Sequence, residues 1–205
     1  MDVNYIWVGG EVPLHYMNNY NKCFKLNPQF SFNIWRNEDC LKLVSEFGLT
    51  EIFNSISFIC KCNLLKYIVL HKFGGIYTDF DITWKQPFLK IMNDFNYPNV
   101  DIVLTSTNES TLMDDPFIIS KPNIFGSCIA YCRNRTQLKY DGEIYEATGQ
   151  LKTHKLEPFG PFGLTEWLSY DKINYSHFSQ ETLLNNNGFF GIHQQKSIWK
   201  FDKAR

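Results

Sequence analysis

A helix pattern that leads directly into a strand pattern, with two glycines at the junction, constrains this chain more than any other feature. The segment from about Ser57 to Phe73 has apolar residues at helical spacing and contains no proline. Gly74-Gly75 follows, and glycine commonly closes a helix at its C-terminal end. From Ile76 to Thr83 the pattern has a period of two residues, which predicts a strand. This order of elements favours an α/β fold.

Two aspartates, Asp79 and Asp81, fall on one face of the predicted strand together with Tyr77. Two like charges so close repel each other unless a cation or strong hydrogen-bond donors lie between them. An Asp-X-Asp triplet is also common in solvated turns, but the strand-forming residues on both sides argue against a turn here. Ligands that offer only oxygen favour Mg²⁺ or Mn²⁺ over zinc. The pattern therefore predicts a divalent-metal site at a strand end.

Strand and helix patterns alternate along most of the chain. Predicted strands span residues 3–8, 32–35, 101–105 and 118–120, and predicted helices span residues 14–26, 39–47 and 122–132. Such alternation implies a mostly parallel central sheet with helices on both faces and ligands at the carboxyl ends of the strands. A length of 205 residues is that of a single domain.

Charge and composition argue against several classes of partner. A net charge of −1 creates no field that would attract nucleic acid or an anionic membrane. No segment approaches the roughly 18–20 apolar residues of a membrane span, and the N-terminus has no signal-peptide pattern. We therefore expect a cytoplasmic protein, in the host cytoplasm if the source is viral. The six cysteines lack the Cys-X-X-Cys spacing of structural zinc and are expected to be reduced and buried.

Several further motifs occur in order along the chain. They are Tyr5 to Pro13 (YIWVGGEVP), Leu26-Asn27-Pro28, Phe32 to Trp35 with Glu38-Asp39, Gly160-Pro161, and Gly191 to Trp199. Together with the Asp-X-Asp segment, they resemble the DXD-containing sugar transferases of glycosyltransferase family 32, and clostridial glucosylating toxins have a similar segment. The resemblance implies a GT-A-like (Rossmann-like) α/β domain over residues 1–205. Its residues 1–90 would bind the nucleotide sugar and its residues 91–205 would face the acceptor.

The resemblance also implies a reaction. A metal-dependent transferase of this kind moves a hexosyl group from a UDP-sugar (glucose or another hexose or deoxyhexose) to a saccharide acceptor, which can be carried on a glycoprotein, and it retains the anomeric configuration. Short family members of this type occur in bacterial polysaccharide clusters and in large DNA viruses. The sequence is also compatible with a domain excised from a longer chain.

The resemblance assigns roles to individual residues. Asp81 is expected to ligate Mn²⁺ or Mg²⁺ directly, Asp79 to contact ribose, sugar hydroxyls or the metal through water, and His193 to be the third protein ligand. Trp7 is expected to stack on uracil, because an aromatic ring at a strand end offers an apolar face. The other expected donor contacts are Val8, Gly9, Asn63, Lys66, Tyr77, Lys196 and Trp199.

Several of these assignments have a structural alternative. Asn63 and Lys66 stand where the family often has Asp and Arg; Asn63 can still hydrogen-bond but carries no charge, and Lys66 keeps the cation without the planar fork. From the residues alone, Trp7 could be a core aromatic, Lys66 a solvated helix residue and His193 a structural histidine. The donor sugar is therefore less defined than the reaction.

Two other functions remain open at this point. Common hydrolase motifs are absent, and two carboxylates on one strand face are poorly placed to flank a glycosidic bond. A metal-dependent phosphohydrolase or nuclease could use the same aspartates, although a nuclease would normally have a more basic groove. A nucleotide-sugar-binding module without turnover is the second alternative.

Overall fold

A six-stranded sheet forms the centre of the computed structural model, which describes residues 1–106, 113–137, 159–179 and 188–193. The strands, in the spatial order β2-β1-β3-β6-β5-β7, are β1 (Asp2–Ile6), β2 (Ser31–Trp35), β3 (Gly75–Thr78), β5 (Ile102–Ser106), β6 (Met113–Ser120) and β7 (Tyr175–Ser179). Only β6 runs antiparallel to its neighbours in this sheet. The predicted mostly parallel sheet is therefore confirmed. Two short strands, β4 (Ile82–Trp84) and β8 (Gly191–His193), pair separately.

Helices cover both faces of the sheet, as predicted. They are α1 (Leu14–Leu26), α2 (Asn37–Glu46), α3 (Thr50–Ser55), α4 (Phe58–Phe73), α5 (Phe88–Asp94), α6 (Gly126–Gln137) and α7 (Pro161–Tyr170). The first apolar core contains residues of α2, α3, α4, α6 and α7, and the second contains residues of α1 and α5. Successive residues of β1 alternate between them, because Tyr5 packs in the second core and Ile6 in the first. Within the described ranges, no helix has the length and apolar character needed to cross a membrane.

The junction between α4 and β3 has the predicted form. Ser57 caps the helix by accepting a hydrogen bond from the Cys60 backbone N–H at 3.3 Å, and Gly74 ends it with a φ of 64°. A Cβ on Gly74 would lie 2.7 Å from the backbone N of Pro122, and one on Gly75 would lie 2.5 Å from the carbonyl O of Asp2. Only glycine therefore lets the chain turn from α4 into the sheet beside β1.

The prediction of one continuous strand from Ile76 to Thr83 is wrong. β3 ends at Thr78, residues 79–81 form a turn, and β4 begins at Ile82 in the second sheet. The strand is interrupted because residues 82–84 pair with β8 rather than with the main sheet, although Ile76, Phe80 and Ile82 still pack in the same core. Asp79 and Asp81 thus lie in a turn at the carboxyl end of β3. We call residues 79–81 the acidic turn.

Other differences concern the ends and number of the elements. α6 begins at Gly126 rather than Pro122, because Asn123 adopts a φ of 66° in a turn and donates its backbone N–H to the carbonyl O of His71 at 2.7 Å. β6 is longer than predicted and begins at Met113. The elements that the sequence did not predict are α3, α5, α7, β4 as a separate strand, β7 and β8.

Candidate active site

Three side chains form a cluster with the composition of a divalent-metal site. Ligand atoms of Asp79, Asp81 and His193 all lie within 4.8 Å of one another. His193 reaches the cluster because the register of β8 on β4 places it opposite Ile82, directly after the turn. Its Nε2 atom lies 3.1 Å from Asp81 Oδ1. Two carboxylates and one imidazole can hold a divalent cation; the carboxylates favour Mn²⁺ or Mg²⁺, whereas imidazole is also a ligand of zinc.

Asp79 is held by two further groups. The Tyr77 hydroxyl donates a hydrogen bond to Asp79 Oδ1, and the Lys66 Nζ atom lies 3.6 Å from the same oxygen. Burial raises the pKa of Asp79 above its ordinary value; Lys66 opposes this rise, and the charge of Asp81 adds to it. A divalent cation between the carboxylates would favour their ionised form, so the cluster is suited to one.

Lys66 is not a solvated helix residue, since only 5% of it is exposed. Its Nζ atom lies 4.9 Å from the centre of the Tyr77 ring as well as beside Asp79. A buried ammonium group is costly unless such partners surround it. The structure therefore places a positive charge inside the acidic turn.

Asn63 lies one turn before Lys66 on α4 and is buried. Its Nδ2 atom donates to the carbonyl O of Phe159 at 3.0 Å. Its Oδ1 atom is buried and has no hydrogen-bond partner among the residues that the structure describes. Asn63 consequently presents an acceptor, without a charge, on the side of α4 that faces Gly160.

Trp7 lies at the carboxyl end of β1, beside the end of β3. Its indole N–H donates to the carbonyl O of Gly10 at 3.0 Å, and its ring meets the Phe80 ring edge-on at 5.7 Å. The backbone of Gly9 exchanges two hydrogen bonds with the Asn37 side chain, at 2.9 and 3.1 Å. The predicted nucleotide end of β1 is thus joined to the acidic turn through Phe80.

The predicted site residues are therefore distributed in three ways. Asp79, Asp81, His193, Lys66 and Tyr77 contact one another directly. Trp7, Val8 and Gly9 lie in the loop that follows β1, and Asn63 lies on α4. Lys196 and Trp199 lie outside the described residues, so their contacts remain predictions.

Sequence reasoning missed the residues that hold this site in place. Asn19 on α1 donates its Nδ2–H to the carbonyl O of Phe80 at 2.9 Å and accepts from the Thr83 hydroxyl at 2.8 Å. Asn37 was also missed, as was Tyr16, whose buried ring packs against Trp7. The one available signal was a polar residue, Asn19, within an otherwise apolar face of a predicted helix.

Comparison with known protein sequences identifies similarity to glycosyltransferases. Residues 13–118, just over half of the 205 residues, match the model of a family described as a glycosyltransferase sugar-binding region containing a DXD motif. Inositol phosphoceramide mannosyltransferase 1 of Schizosaccharomyces pombe is 23% identical over 129 residues, which are 60% of this chain and 39% of that protein. Inositol phosphoceramide mannosyltransferase 3 of the same yeast is 24% identical over 83 residues, 39% of this chain and 23% of that protein. The matched part spans well under half of either relative.

Solved structures extend the comparison to the fold. The PaToxG glycosyltransferase superposes with a TM-score of 0.57 at 14% identity, covering 82% of this chain and 67% of that one. The catalytic domain of alpha-toxin from Clostridium novyi gives a TM-score of 0.46 at 12% identity, covering 67% and 58%. The first of these similarities shows the same fold, and the GT-A-like prediction is confirmed.

Proposed function

The chain belongs to the family of glycosyltransferases whose sugar-binding region contains a DXD motif, and from this premise we propose that it is a metal-dependent hexosyltransferase. It moves a hexosyl group from a UDP-sugar to a saccharide acceptor. The observation that carries the proposal is the cluster of Asp79, Asp81 and His193 at the carboxyl end of β3. A diphosphate-bridging metal needs such a cluster, at the sheet edge where α/β proteins bind ligands.

In this proposal the protein holds Mn²⁺ or Mg²⁺ mainly through Asp81 and His193. Asp79 is already shared with Tyr77 and Lys66, which suits it to contact ribose, a sugar hydroxyl or a metal-bound water. When bound, the cation supplies Lewis-acid stabilisation of the charge that develops on the leaving nucleoside diphosphate. The Lys66 ammonium group provides a second positive charge beside Asp79.

The donor lies across the carboxyl ends of β1 and β3. Trp7 stacks on the base, and the backbone of Val8 and Gly9 lines the nucleotide. Asn63 accepts a hydrogen bond from a sugar hydroxyl through Oδ1, because its Nδ2–H is used by Phe159. In that geometry the asparagine acts as an acceptor, as the aspartate of related transferases would. Lys196 and Trp199 are proposed to complete the donor site.

The acceptor side is assigned to residues 91–205, and transfer is proposed to retain the anomeric configuration. A saccharide, free or on a glycoprotein, is the proposed acceptor. The names of the yeast relatives add an inositol-phosphate-bearing lipid to the acceptors worth testing.

The test is a thermal-shift panel of UDP- and GDP-hexoses with and without Mn²⁺, followed by measurement of nucleoside diphosphate release. A ligand that binds the native state raises the Tm by mass action, so we expect a metal-dependent rise with a UDP-hexose. NMR of the anomeric proton in the first product then identifies retention. Binding without donor consumption would instead indicate a binding module, and phosphate release from a simple phosphodiester would indicate a phosphohydrolase.

A further inference from the structure

Tyr16 on α1 has a buried hydroxyl to which the proposed function gives no role. The residue is 1% exposed, and its hydroxyl has no hydrogen-bond partner among the residues that the structure describes. Two other buried tyrosines do have partners, since Tyr67 donates to the carbonyl O of Gly160 and Tyr77 donates to Asp79. A buried polar group without a partner is costly and calls for an explanation such as an absent ligand.

Tyr16 lies between Trp7 and the turn that carries Asp79 and Asp81. Its ring lies 5.7 Å from the Trp7 ring, and Asn19, one turn later on the same helix, bonds the acidic turn at Phe80. Burial, then the charges of Asp81 and Asp79, raise the pKa of Tyr16 to about 12. The phenol is therefore a neutral hydrogen-bond donor at physiological pH, within the field of both carboxylates.

We propose that Tyr16 is a donor-binding residue whose hydroxyl donates a hydrogen bond to a phosphate oxygen of the nucleoside diphosphate. The inference rests on the proposed function, in which the base lies on Trp7 and the diphosphate lies at the Asp79–Asp81 turn. Tyr16 packs against the Trp7 ring, and Asn19, one turn later on α1, bonds the Phe80 carbonyl in that turn, so α1 positions Tyr16 between the two. An anionic phosphate oxygen is an acceptor and matches a hydroxyl whose proton has no acceptor within the described ranges.

The test compares Tyr16→Phe with the wild type in calorimetric titrations with UDP and Mn²⁺, and with uridine alone. Phenylalanine keeps the ring against Trp7 and removes only the hydroxyl. We expect the affinity for UDP to fall about tenfold and the affinity for uridine to stay unchanged. The Tm without ligand should be equal to or above that of the wild type, because an unpartnered hydroxyl is removed.

The matched control is Tyr20→Phe, the same substitution one turn later on α1. Tyr20 is half-buried against Tyr5 and Phe80, and its variant should bind UDP as the wild type does. Equal UDP affinity in Tyr16→Phe and wild type would overturn the inference. An equal loss of UDP and uridine binding, or a fall in the Tm without ligand, would overturn it too, since each indicates a packing role.

Failure of the proposed function has a different signature. A wild-type protein that binds neither UDP nor GDP in the presence of Mn²⁺ overturns both proposals. A wild-type protein that binds GDP more tightly than UDP changes only the base, and the same comparison is then made with GDP and guanosine.

Discussion

At the scale of single residues, the role proposed for Asp81 as a metal ligand can be tested directly. Its carboxylate lies 3.1 Å from His193 Nε2, whereas Asp79 is shared with Tyr77 and Lys66. Asp81→Asn keeps the shape and removes the charge, so Mn²⁺-dependent donor binding should be lost and transfer should fall about 100-fold or more, beyond the loss typical of outer-shell partners. Calorimetry with Mn²⁺ and a transfer assay measure the two effects.

The control for this variant is Asp94→Asn, which removes an exposed carboxylate paired with Lys90 on α5. It should leave metal binding unchanged. The Tm of Asp81→Asn without metal should also stay close to that of the wild type, because the turn is tied by backbone contacts. Full activity of Asp81→Asn, or of the wild type in excess EDTA, would exclude the metal mechanism.

Residue types and spacing were sufficient to single out Asp79 and Asp81, and the family resemblance singled out His193, but neither predicted the residues that support this cluster. Asp79 and Asp81 could be singled out because two carboxylates so close repel each other unless a cation or strong hydrogen-bond donors lie between them. The roles of Tyr16 and Asn19 could not be predicted, because their partners lie far away in the sequence and one polar residue on an apolar helix face does not reveal what it bonds. Their role exists only after α1 packs on the acidic turn.

At the scale of elements, the acidic turn depends on α1 as much as on β3. Asn19 is 5% exposed and joins the Phe80 carbonyl to the Thr83 hydroxyl. Asn19→Ala leaves both groups buried without this partner and should lower the free energy of unfolding by about 1–3 kcal/mol. For a chain of this length each kcal/mol lowers the Tm by roughly 2–4 °C. Denaturant unfolding and Mn²⁺ titration would measure the effect.

Asn99→Ala serves as the control at this scale. Asn99 is exposed and its side chain bonds Asn96 at the surface, so its loss should leave Mn²⁺ affinity unchanged. We expect Mn²⁺ affinity to fall only in the Asn19 variant, because the turn is then free to move. A variant with normal stability and normal Mn²⁺ affinity would show that α1 does not position the turn.

Elements with strong periodicity were predictable, and short ones were not. The helix over residues 14–26 and the helix ending at Phe73 have the predicted limits, because length and apolar spacing make their patterns distinct. β4 and β8 have three residues each, and only their pairing with each other makes them strands. The same pairing takes the chain out of the main sheet after Thr78, which is why the predicted strand was too long.

At the scale of the whole molecule, the chemical reactivity of the cysteines tests whether both cores are closed. Cys23 lies in the core beneath α1, and Cys40, Cys60, Cys128 and Cys132 lie in the opposite core. None of the six cysteines forms a disulfide, and all except the partly exposed Cys62 are buried. Burial raises the pKa of the Cys23 and Cys40 thiols to about 12 each. At pH 8 both thiols therefore stay protonated in nearly all molecules.

The native protein should therefore react with a thiol-specific disulfide reagent at pH 8 in two well-separated phases. One equivalent, from Cys62, reacts quickly, and the other five react only on unfolding in guanidinium, because reaction requires a thiolate that the reagent can reach. Cys62→Ala should abolish the fast phase, whereas Cys60→Ala, two residues earlier on α4, should retain it. More than one fast equivalent in the folded protein would mean that a core is open. The identity of the extra thiol would then show which face of the sheet has lost its helices.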